Sequence, residues 1–149
     1  MEQAFIESIT KIIERDLTKL EEEINQYPSE ESIWKISGDI KNSGGNLCLH
    51  LCGNLQHFIG AILGHRSYIR NRDNEFAAKG IPKKDLIIEI QKAKQSVTST
   101  LQALDTSILE SEYPVKVFSY DMTTLHFLIH LTAHLEYHLG QINYHRRLL

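Results

Sequence analysis

The sequence predicts an all-α protein, a four-helix bundle with long connections between its helices. Four segments repeat apolar residues at intervals of three and four, the period of a helix with one buried face. The stretches between them are polar and long enough for a crossover that does not join nearest neighbours. At 149 residues the chain is sized for one domain, residues 1–149, and is short for two.

The first segment carries Ile6, Ile9, Ile13, Leu17, Leu20, Ile24 and Tyr27 on one side and charges on the other. It reads as an amphipathic helix that stops before Pro28. Within the polar stretch Ser29 to Gly45, residues 29–35 read as one helical turn, with Trp34 plugging the core. Gly44 and Gly45 stand just before the second helix, which runs from about Asn46 to Arg66 on Leu47, Leu51, Leu55, Phe58 and Ile62. Ser67 to Pro82 is a second polar excursion. The third helix starts after Pro82, a residue suited to a helix start, and uses Leu86, Ile90, Ala93, Val97, Leu101 and Leu104. Val115 to Tyr120 alternates and is expected to be extended. The fourth helix is capped from the Asp121–Thr124 region and buries Leu128, Leu131, Leu135, Leu139 and Ile142.

A net charge of −3 argues against general nucleic-acid binding, which favours a basic face. Arg146 and Arg147 complement the dipole at the end of the last helix. The start of the chain lacks the basic and continuously apolar stretches of a signal peptide. No window reaches the roughly 20 apolar residues that span a bilayer. The two cysteines offer no disulfide framework. The chain reads as cytoplasmic, with no membrane partner.

Five of the eight histidines, 126, 130, 134, 138 and 145, fall in the last helix. His134 and His138 are four residues apart, so both imidazoles share one face and can reach one ion. His126 and His130 are rotated toward the rim, and His145 lies near the frayed terminus. In the second helix His50 borders the apolar sector, with His57 as its competitor for a third ligand place. A lone inward histidine is usually a hydrogen-bonded core residue. Three on two facing helices point instead to a three-nitrogen site with an open position, the pattern of catalytic rather than structural metals.

Cys48 and Cys52 each stand two residues from His50, about 200° around the helix, and read as buried structural thiols. The chain has no Glu-x-x-His pair, which argues against a di-iron bundle, and no His-Glu-x-x-His. Gly53, Gly60 and Gly64 form a narrow stripe, each at a cost of about 1 kcal/mol relative to alanine in a helix interior. Close packing within the chain or a homodimer contact accounts for such a stripe.

Three blocks, residues 42–55, Arg70 to Phe76 and His134 to Ile142, together resemble the DinB/YfiT-like metalloenzyme family. The resemblance spans nearly the whole chain and implies a four-helix bundle holding a divalent ion, commonly nickel or zinc. Carried over position by position, the ligands are His50, His134 and His138, which selects His50 over His57. Relatives include S-transferases dependent on a low-molecular-weight thiol, bacillithiol or mycothiol, and a thiol-dependent isomerase, and they are frequently homodimers. The expected function is therefore that of a metal-dependent enzyme acting on a small molecule, with thiol transfer as its reaction. Asn54, Tyr137, Gln141 and the Arg70–Glu75 segment are the candidate pocket and supporting residues. The alternatives are a non-catalytic binding bundle whose metal is structural or absent, and a metal-dependent hydrolase. A hydrolase needs a general base beside the ion, and neither motif helix offers a carboxylate so placed.

Overall fold

The computed structural model describes residues 1–149, and its regular structure is helical throughout. Five α-helices follow one another: α1 (Glu2–Asn25), α2 (Gly44–Leu55), α3 (Arg72–Ala77), α4 (Lys83–Gln102) and α5 (Thr124–Arg147). Side chains start three of them. Ser43 accepts from the Asn46 backbone N–H, Asn71 from that of Asn74 and Thr123 from that of His126. Each satisfies one of the N–H groups a helix start leaves open.

α1 packs on α4 and α5, and α2 packs on α4, α5 and the short α3. One contiguous apolar cluster results. Ile13, Leu17, Leu20 and Ile24 of α1, Leu51 and Leu55 of α2, Leu86 and Ile90 of α4 and Leu135 and Ile142 of α5 are fully enclosed in it. Burial of each such side chain stabilises the fold by about 1.5–3 kcal/mol, which offsets the ordering of long loops. No helix is long and apolar enough to cross a membrane.

Several expectations change. The second helix begins two residues early, so Gly44 and Gly45 lie inside its first turn. A Cβ on Gly44 would collide with the Tyr27 hydroxyl, and one on Gly45 with the Trp34 ring. The 29–35 turn is present as a 3-10 turn at Ser32–Trp34, but Ile33 is its fully buried plug. Trp34 is half-buried and donates its indole N–H to the Ile81 carbonyl. Residues 115–120 form no strand, because the only bridge in the region, Glu112 to Thr123, offers no continuing edge to pair with. The 67–82 excursion contains α3, which its polar composition concealed.

From Gln56 to Leu63 the second helix widens into a π-helix before it ends. Wider winding changes the bearing of every later side chain, so a 100° wheel fails beyond Leu55. The glycine stripe is accounted for within the chain. A Cβ on Gly53 would overlap the Glu75 carboxylate, one on Gly60 the Ser96 hydroxyl and one on Gly64 the Thr100 hydroxyl. The stripe admits α3 and α4 against this helix and carries no argument for a dimer.

α2 and α5 run antiparallel. His50 faces His134 and His138, and two turns on, Phe58 meets Phe127 at 5.1 Å between ring centroids. Tyr113 packs edge-on against Phe127 at 4.4 Å between ring centroids and donates its hydroxyl to the Phe58 carbonyl at 2.7 Å. This aromatic plug closes the seam on one side of the histidines.

Candidate metal centre

Three of the eight histidines meet across the α2–α5 seam. One ring atom each from His50, His134 and His138 lies within 4.8 Å of the other two, a set able to hold a metal ion. The rings stand nearly edge-on to one another, at 76–89° and 4.6–5.2 Å between centroids. His50 is buried, while His134 and His138 are half-buried.

The hydrogen bonds fix which nitrogens turn inward. His50 Nδ1 lies 3.0 Å from Glu75 Oε1, and the Arg70 guanidinium holds both oxygens of that carboxylate at 2.8 Å. Burial by itself would raise the Glu75 carboxyl, but Arg70 and His50 outweigh it and hold it below the ordinary value. An ionised carboxylate only accepts, so His50 Nδ1 carries the proton and Nε2 is left with a free lone pair. Arg70 also passes 3.3 Å from His50 Nδ1, but two donors cannot bond each other, so that approach is a consequence of the ion pair. His138 Nδ1 lies 2.7 Å from Gln141 Oε1, an acceptor, which likewise leaves its Nε2 bare.

His50 Nε2 sits 3.2 Å from His134 Nε2. Ligand nitrogens about 2.0–2.1 Å from a tetrahedral zinc lie about 3.3 Å apart, so this spacing suits a shared ion. Burial lowers the His134 pKa to about 4, with help from the neighbouring His138 and His50, and burial also lowers that of His138. Both rings are thus neutral near pH 7, the state a metal requires. Donor set, spacing and protonation all fit a divalent cation.

These shifts carry a signed consequence. Above about pH 6.5 the His134 ring is neutral in folded and unfolded chains alike, and its protonation costs the fold nothing. Below that the unfolded chain binds a proton that the folded ring refuses until about pH 4. Stability of the metal-free protein is therefore expected to fall as pH drops from 6.5 to 4. The loss is roughly 2 kcal/mol, below the about 3 kcal/mol of the full shift because the ring is partly solvated. Urea midpoints across this range check it, and a flat profile would contradict the assignment.

The other expected residues separate. His57 does not join the cluster; it lies beside Phe58 in the π-helical stretch, where the seven-residue count from His50 no longer returns to the same face. His145 is not frayed. It is buried, accepts from the Tyr27 hydroxyl at 2.6 Å and donates to the Lys35 carbonyl at 2.9 Å, anchoring the end of α5. Cys48 and Cys52 are buried and unbridged, and contact with Cys48 together with burial pushes the Cys52 thiol well up. Arg146 pairs with Glu23 of α1 rather than only facing the helix end.

Tyr137 is exposed beside His138, 5.1 Å between rings. Together with His138, Gln141, Leu47, Tyr144 and Lys41 it lines a cleft of about 690 Å³ between α5 and the segment before α2. The wall at 39–42 is missed by reading the helices alone, because its residues carry no period. Asn54 is buried one turn beyond His50, and its Oδ1 has no partner within the chain.

The family described as "Protein of unknown function (DUF1572)" matches residues 1–149. The chain belongs to that family. Comparisons with curated proteins and with solved structures found no significant match.

Proposed function

We propose that this member of the family is a metal-dependent enzyme, a single four-helix-bundle domain of the DinB/YfiT-like kind over residues 1–149. His50, His134 and His138 hold one divalent cation, nickel or zinc, leaving at least one position for a small molecule. The observation that carries this reading is the three-histidine cluster, with His50 and His134 Nε2 atoms 3.2 Å apart. A divalent cation bound there supplies a Lewis-acidic position that lowers the pKa of a bound thiol or water.

The surrounding residues support a thiol-dependent reaction at this site. Three neutral imidazoles leave the full cationic charge in place, which favours an anionic thiolate from a low-molecular-weight thiol. The cleft beside His138 gives such molecules access, with Tyr137 and Tyr144 as apolar walls and Gln141 and Lys41 as polar contacts. Thiol transfer is favoured over hydrolysis by Glu75. It is the carboxylate nearest the cluster, yet both of its oxygens are engaged by Arg70 and His50, so neither is free to deprotonate water.

Elemental analysis of protein purified without a nickel column is expected to give about one divalent ion per chain. With that ion present, conjugation of bacillithiol, glutathione, coenzyme A or cysteine to a model electrophile is expected to exceed the rate of His50→Ala. A protein without metal refutes the centre. Metal without thiol-dependent rate refutes the transferase.

A further inference from the structure

Two of the three ring histidines have a visible support: His50 Nδ1 donates to the Glu75 carboxylate and His138 Nδ1 to the Gln141 amide oxygen. His134 Nδ1 has none. Only two buried side-chain polar atoms in the chain lack a partner, and the other is Asn54 Oδ1. One is a ring nitrogen able to donate, the other an amide oxygen able only to accept. Asn54 lies one turn beyond His50, between the level where His50 meets His134 and the level where Phe58 meets Phe127. The two residues therefore stand at neighbouring levels of the α2–α5 seam. Two unpaired buried groups each destabilise the fold, whereas one water between them satisfies both.

We infer that Asn54 is the positioning residue of His134, its Oδ1 receiving the Nδ1–H through one bound water. With Glu75 and Gln141 it forms a shell of three oxygen acceptors. Each keeps the proton of its histidine on Nδ1 and turns Nε2 toward the centre. This rests on the three-histidine reading above and extends it to the chain's means of setting all three tautomers. Supports of this kind commonly affect metal affinity 10–100-fold.

The test uses zinc as the probe and the full chain. Zinc affinity is measured by chelator competition for wild type, Asn54→Leu and Asn54→Asp, alongside melting of the metal-free proteins. Histidine protonation in the zinc-loaded state is followed by long-range proton–nitrogen correlation spectra. Asn54→Leu is expected to weaken zinc binding 10–100-fold and to lose the slowly exchanging His134 Nδ1 proton. Its metal-free melting temperature should fall modestly, because the His134 Nδ1–H then loses the acceptor it reaches through the water. Asn54→Asp keeps an acceptor and should bind at least as tightly as wild type. Wild-type affinity together with an unchanged His134 proton in Asn54→Leu would overturn the inference, as would coordination of His134 through Nδ1. Failure of the wild type to take up zinc would instead overturn the metal reading itself.

Discussion

His134→Ala and His138→Ala are each expected to lose the metal, and to do so more completely than any supporting change. The two rings lie one turn apart on α5 with their centroids at 4.6 Å, and His50 is the only ring facing them from α2. Removing one leaves two protein ligands, so the affinity loss should exceed the 10–100-fold typical of outer partners. Metal-linked stability disappears with it. A ligand present at 100 times its Kd adds about 2.7 kcal/mol, so the wild type should melt higher with zinc and the variants should not. Cys48→Ser and Cys52→Ser are the contrast: they sit in the same helix as His50, yet should retain wild-type metal content. Elemental analysis of all four decides it, and full metal in both histidine variants would sink the centre.

Glu75→Ala is expected to damage the fold and the site together. Its side chain is nearly enclosed, holds the Arg70 guanidinium in a two-pronged pair and accepts from His50. Removing it strands a poorly solvated charge and opens a void against Gly53, a loss of about 3 kcal/mol. For a chain of this size that lowers the melting temperature by roughly 6–12 °C. Zinc affinity should fall 10–100-fold because nothing then fixes the His50 tautomer. Pairing Glu75→Leu with Arg70→Met separates the two effects. With both charges gone, most of the stability should return while the zinc affinity stays low. Return of both would mean that Glu75 acts through the fold alone.

Much of this was legible in the chain because it depends on local geometry. The period of α1, α4 and α5 set their buried faces, and Pro28, Pro82 and the Asp121–Thr124 caps set their ends. A spacing of four places His134 and His138 on one face whatever the rest of the chain does. The second helix obeyed the same rule only as far as Leu55. Beyond it the π-helical winding, along which Gly60 and Gly64 pack closely against Ser96 and Thr100, moved His57 off the bearing the sequence implied.

What the tertiary structure decided lies in contacts between segments distant in sequence. Nothing local about Gly53 reveals that its missing side chain makes room for the Glu75 carboxylate. Nor does the polar stretch 67–82 announce that Asn46 binds the Glu75 and Ala78 carbonyls and pins α3 where that carboxylate meets His50. The cleft wall at Asp39–Asn42 is equally silent, since its place depends on α5 being anchored through His145 to Tyr27 and Lys35. Helical period and i,i+4 spacing are properties of a single segment, so the sequence alone determined the four main helical segments and the paired histidines, but not α3 or the π-helical stretch. The third histidine, His50, came from the family resemblance and is the one the fold brings to the pair. What holds it and where a ligand enters depend on how separate segments pack, and that only the folded chain specifies.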